Sequence, residues 1–150
     1  MRVEIAELLA EIEQSRQHLA QIQAIYHERL AGLSQDERSL EKAVLLADVF
    51  VNYYTCLETI FFRIAQFFEN SLPTERWHAE LLDKMRLQIA GVRESVISAE
   101  SYMLLDELRR FRHFKRYYFS MDYDLDRLEF LSTKFVRLLQ TITIDLDQFH

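Results

Sequence analysis

Glycine occurs only twice in the 150 residues and proline only once, which leaves almost no material for the tight turns of hairpins, sandwiches or barrels. Long helices joined by few connections are what remains. The single cysteine, Cys56, cannot close an internal disulfide, and its apolar, helix-forming surroundings suit a small packed hydrophobe better than a nucleophile. A reducing cytoplasm fits that usage. Long uninterrupted apolar runs are missing as well: "MRVEIAELLAEIEQ" alternates charged and apolar residues, and Asp48, Asn52, Arg63 and Gln66 break the apolar stretches further on. Neither a secretion signal nor a membrane partner is expected. The two glycines stand 59 residues apart, so no glycine-rich loop cradles a phosphate. Di-iron and di-manganese bundles need a Glu-x-x-His pair on each of two helices, and the chain does not carry two such pairs, so no metal and no cofactor is expected.

Apolar side chains make up 49% of the chain, enough to fill one core, and the length is that of one domain. The formal net charge is −6, yet residues 109–119 carry five Lys and Arg side chains and no acid. The remainder is therefore at −11, and a local basic patch on so acidic a body points to a specific anionic partner.

Helical periodicity predicts an all-α fold, an antiparallel bundle of four to five helices. Val3, Ile5, Leu8, Leu9, Ile12, Leu19, Ile22, Ile25 and Tyr26 form the stripe of a first helix that stops at Gly32. Ser34 and Glu37 read as a capping box for a central helix that runs to about Asn70. A third helix is expected from about Glu75 to Gln88, with Trp77, Leu81, Met85 and Ile89 inward and Gly91 as its stop. Ser98 caps a fourth from Ala99 to Phe119, with Met103, Leu104, Leu108 and Phe111 inward. Asp122 or Asp124 caps the last, whose stripe is Leu125, Leu128, Leu131, Phe135, Leu138, Leu139 and Ile142. No repeat or linker divides the chain, so one domain spans 1–150, with 1–33 as an N-terminal helix and 34–150 as its core.

Two features of this helical reading bear on chemistry. Asp48, Asn52, Thr55 and Thr59 recur at spacings of four, three and four on the central helix, with Glu58 close enough to join them. Such a stripe either meets solvent or a neighbouring helix, or faces a site. On the fourth helix, Arg109, Arg112, His113 and Arg116 share one face, and Tyr117 continues it. Guanidiniums grouped this way repel unless anions sit among them, whether acids of a neighbouring helix or the phosphates of a nucleic acid. His18, His27 and His150 are solitary, and His78 reads as a packing or capping residue at the start of the third helix.

The segments "NYYTCLETIFFRIA", "SLPTERWHAELLDKM", "GVRESVIS" and "LLDELRRFRHFKRYYF", in that order, resemble the HEPN superfamily and within it the HepT-like toxins encoded beside a nucleotidyltransferase antitoxin. The resemblance implies a small dimeric helical domain that cleaves RNA without a metal. The family signature is an Arg, a polar residue, three further residues and a His, with a Tyr two positions later. Laid on this chain it assigns Arg112 and His113 to the first two places, Tyr117 to the histidine place and Phe119 to the tyrosine place. Arg112, His113 and Tyr117 are thus the implied catalytic residues, with Arg109, Lys115 and Arg116 as phosphate binders and Asn52 and Glu58 as supporting polar groups.

The two departures matter physically. Cleavage through the 2′-hydroxyl needs a base titrating near neutrality, and a tyrosine is a poor one, which leaves His113 as the other imidazole on that face. The partner nucleotidyltransferase is thought to silence such toxins by adding adenylate to the tyrosine that ends the motif. Phe119 has no hydroxyl, so the modification would move to Tyr117 or Tyr118, with Tyr117 favoured because its hydroxyl falls among the cations. Three accounts stay open: an RNA-cleaving HepT-like toxin whose target is a tRNA or an mRNA, a catalytically silent domain that binds or neutralises RNA or a partner, and a helical oligomerisation protein in which the arginines pair with acids. In the first two Arg112 is expected to stand exposed in a cleft shared by two copies of the chain.

Overall fold

The computed structural model describes residues 3–30, 39–69, 77–116 and 124–149, and among them five helices and no named strand are found: α1 (Val3–Arg29), α2 (Leu40–Glu69), α3 (Trp77–Met85), α4 (Ala99–Arg116) and α5 (Leu125–Gln148). The chain is all-α, and its long helices alternate in direction. On the α1–α2 side, Glu11 pairs with Arg63 and the Cys56 thiol donates to the Ser15 carbonyl, so these two run antiparallel. On the far side α4 and α5 run antiparallel too, through Ser101 to Thr141 and Ser98 to Asp145.

α2 is the central helix and packs against α1, α3, α4 and α5. Aromatic residues fill its circumference, and Phe50, Tyr53, Tyr54 and Phe61 are all buried to within 1%. Phe135 of α5 is the hub of this core, stacked on Tyr26 at 4.9 Å and tilted against Phe50 and Tyr53 at 5.3 and 4.9 Å. By length and composition α2 could also cross a bilayer, which the sequence reading did not anticipate. More than half of that stretch (56%) is buried within the bundle, the usual use of apolar surface by a core helix.

The helix starts follow local chemistry. Ser39 caps α2 by accepting from the Lys42 amide at 3.1 Å, whereas the Ser34 box lies outside the described residues. Asp124 caps α5, accepting from the amides of Asp126 and Arg127. Asp122 lies outside the described residues. Ser98 caps α4: its hydroxyl accepts from the Ser101 amide at 3.2 Å and donates to Asp145 at 3.1 Å, while its own amide donates to the same carboxylate. Ser98→Ala is therefore expected to cost about 1–2 kcal/mol, the range for a lost cap, readable as a lowered urea midpoint.

Two expectations are corrected. α3 ends at Met85, not near Gln88, because the Met85 carbonyl accepts from the amides of Val96 and Ile97, and Ile89 instead forms an antiparallel bridge with Arg93 around Gly91 at φ 75°. A left-handed residue in that turn is what the glycine supplies. Met103 is 69% exposed, not inward; the buried arc of α4 is Ser101, Leu104, Leu105, Leu108 and Phe111.

Candidate functional site

Where α2, α3 and α4 meet, three chemically active side chains converge. Glu58 sits at the edge of the apolar face of α2, one turn beyond both Tyr54 and Thr55, and is buried. Arg112 reaches it from α4 in a bidentate pair, with Nη1 donating to Oε1 at 3.0 Å and Nη2 to Oε2 at 2.8 Å. Nη1 also donates to the Thr55 hydroxyl at 3.2 Å, and the guanidinium carbon lies 4.6 Å from the centre of the Tyr54 ring. The fork geometry, the hydroxyl and the aromatic face together hold this arginine in one orientation. Burial pushes the Tyr54 phenol well above its ordinary range, followed by the effect of Glu58, so the ring serves as a neutral platform and not as a base.

His78, near the start of α3, completes the group: its Nδ1 is 2.7 Å from Glu58 Oε2 and 3.2 Å from Arg112 Nη2. A guanidinium nitrogen only donates and a carboxylate only accepts, so Nδ1 cannot hydrogen-bond both well. The shorter approach, to the charged carboxylate, fixes Nδ1 as an N–H donor to Glu58. Its side chain is 29% exposed against 8% for Glu58, so the imidazole forms the solvent side of the network.

The rest of the basic face is neutralised in part by its own helix. Asp106 accepts from Arg109 at 2.8 and 3.0 Å and pairs with Arg110 at 2.9 Å. The anions required among these guanidiniums are therefore Glu58 and Asp106.

The structure sorts the residues named from sequence. Arg112 and Glu58 are brought together, but Arg112 is not exposed as expected: its side chain retains 13% accessibility because Glu58 draws it into the bundle. Arg109 is half-buried beside it, and Lys115 is half-buried one turn on. His113 is exposed on α4. Asn52 donates to Asp48 on its own helix at 3.1 Å and both are exposed, so that part of the polar stripe faces solvent. The Arg116 side chain, and Tyr117, Tyr118 and Phe119, lie outside the described residues, as does the Trp77 side chain. Missed from sequence were His78 and Asp106 as members of the site, whereas Thr55 stood in the polar stripe for which a site was one of the open readings. Among the described residues no group of three His, Cys, Asp or Glu side chains is arranged to hold a metal ion.

The family described as HepT-like protein matches residues 45–150, a span that takes in every member of this network. No curated protein and no solved structure matches the chain.

Proposed function

Since the chain belongs to the HepT-like family, matched over residues 45–150, we propose that it is the HepT-like component of a toxin–antitoxin pair and cleaves RNA without a metal. The observation that carries this reading is the pair of Arg112 with the buried Glu58, with His78 on its solvent side, set at the end of a basic helix face. A pre-oriented guanidinium beside an imidazole is the pairing that phosphodiester cleavage requires, one to stabilise the charge growing on phosphorus and one to move a proton. Arg109, Arg110 and Lys115, with Arg116, supply the positive field that draws a tRNA or an mRNA backbone to the site.

Two copies of the chain form the working unit in this reading, with residues 109–119 of each lining a shared cleft. The exposed apolar side chains Met103 and Phe114 on the outer side of α4 support it, at 69% and 63% accessibility. Sedimentation at micromolar concentration is expected to show a dimer, and a monomer would remove the shared cleft. The partner is a nucleotidyltransferase that silences the domain, either by adenylating Tyr117 or Tyr118 or by covering the basic face. Intact mass after incubation with the partner, ATP and magnesium separates the two, since only the first leaves an adduct.

One observation favours the second reading, a silent RNA- or partner-binding module: both Nη1 hydrogens of Arg112 are committed, to Glu58 and Thr55, and the histidine place of the motif holds Tyr117. Purified protein mixed with total tRNA decides between them. Cleavage is expected, weakening as salt rises with the loss of phosphate contacts. Arg112→Lys keeps a charge opposite Glu58 but loses the fork, and is expected to slow cleavage by on the order of 10²-fold. Salt-sensitive binding with no cleavage would establish the silent module, and neither binding nor cleavage would end the RNA reading altogether.

A further inference from the structure

We infer that His78 is the catalytic base of this site, doing from α3 what the family motif assigns to the position that Tyr117 occupies here. The inference rests on the ribonuclease reading above and adds the identity of the proton acceptor. Three features of the geometry carry it.

First, Glu58 accepts from Nδ1 at 2.7 Å, which sets the neutral imidazole in the tautomer whose lone pair is on Nε2. A carboxylate holding a histidine by one ring nitrogen, so that proton exchange runs through the other, orients the ring and compensates the charge it gains on protonation. Second, the same carboxylate binds Arg112 in a fork, so one residue of α2 sets the distance between imidazole and guanidinium, with His78 Nδ1 and Arg112 Nη2 3.2 Å apart. A phosphate drawn to Arg112 is thereby brought beside the ring. Third, the ring is more exposed than either partner, at 29% against 8% for Glu58 and 13% for Arg112, so of the three it is the one an RNA strand meets first.

The step balances. His78 Nε2 takes the proton of a ribose 2′-hydroxyl as the 2′ oxygen bonds to the adjacent phosphorus. Arg112 stabilises the added negative charge on the phosphoryl oxygens. The bond from phosphorus to the 5′ oxygen breaks, that oxygen takes a proton from water, and the imidazolium returns its proton to solvent. The products are a 2′,3′-cyclic phosphate and a 5′-hydroxyl, and no metal or redox partner takes part in these steps.

The decisive variant is His78→Asn, because the asparagine amide nitrogen falls where Nδ1 does and keeps the bond to Glu58 while Nε2 is removed. Full-length wild type and variant are compared on a fluorescein-labelled RNA oligonucleotide of mixed sequence, following cleavage and, separately, binding by anisotropy. Circular dichroism and urea midpoints are recorded for both, with His78→Gln as a second variant should the first unfold. The expected result is a wild-type product ending in a cyclic phosphate, with His78→Asn slowed by about 10²-fold or more. RNA affinity and the urea midpoint stay unchanged. Cleavage by His78→Asn at the wild-type rate would overturn the inference and leave the ribonuclease reading intact. Loss of affinity in step with rate would overturn it in favour of a ring that merely positions Arg112. No cleavage by the wild type would overturn both.

Discussion

Glu58→Ala is expected to cost about 3–5 kcal/mol of folding stability, because it leaves the largely enclosed Arg112 guanidinium without its counterion. The pair is enclosed, with side-chain accessibilities of 8% for Glu58 and 13% for Arg112, and both carboxylate oxygens are engaged. Exposed ion pairs on this molecule, such as Arg63 with Glu11, have no such leverage, since water screens either partner when the other is removed. The check is an equilibrium urea titration of wild type, Glu58→Ala, Arg112→Met and the double variant Glu58→Leu with Arg112→Met. Removing both charges is expected to cost less than removing either one, since the penalty comes from the orphaned charge and not from the missing bond. A Glu58→Ala midpoint equal to wild type would show that Arg112 swings out to solvent, and the pre-oriented guanidinium would be lost from the functional reading. The same enclosure means that Arg112→Ala is expected to destabilise the fold by orphaning Glu58, which is why the lysine variant is the better probe of its chemistry.

That enclosure also marks the boundary of what periodicity can reveal. The stripe of α5 was legible residue by residue, from Leu128 through Ile142, because every third or fourth position is apolar and the cap at Asp124 is strong. On α4 the pattern was less decisive. Met103 and Leu104 stand about 100° apart around a helix, so both cannot lie at the centre of one buried face. What decides between them is Ser101, wholly buried through a 2.8 Å hydrogen bond to Thr141, a partner 40 residues away that no local pattern announces. The site divides the same way. Arg112 was legible as a member of a basic face, and Glu58 as an acid on the rim of a polar stripe. His78 was not, since its role arises only when α3 docks against α2 and α4. It stands 20 residues from Glu58 and 34 from Arg112, separations that carry no helical or strand period.

Docking of α3 has its own keystone, and Arg93→Ala is expected to cost about 3–5 kcal/mol by removing it. The Arg93 side chain is 1% exposed. Nε and Nη2 donate to Glu69 Oε1 at the end of α2, at 2.9 and 2.6 Å, while Nη2 also donates to the Lys84 carbonyl and Nη1 to those of Leu87 and Glu94. One guanidinium thus ties the C-terminal end of α3 to the C-terminal end of α2. Alanine leaves Glu69 with no counterion from residue 93 and three carbonyls without these donors, each a desolvated group whose loss is unrepaid. Lysine restores the charge but has three N–H groups on one atom, which cannot span a carboxylate and three separate carbonyls, so Arg93→Lys should recover only part of the loss. The effect should also be local before it is global: hydrogen exchange at the α3 amides is expected to rise more than at the buried centre of α2. Because α3 carries His78, the cleavage proposed above should fall with that loss of protection although Arg93 itself stands apart from the site. A variant that melts with wild type and keeps its α3 amides protected would mean the end of α3 is held by the Met85 carbonyl and its two amide donors alone, and would uncouple the position of His78 from this arginine.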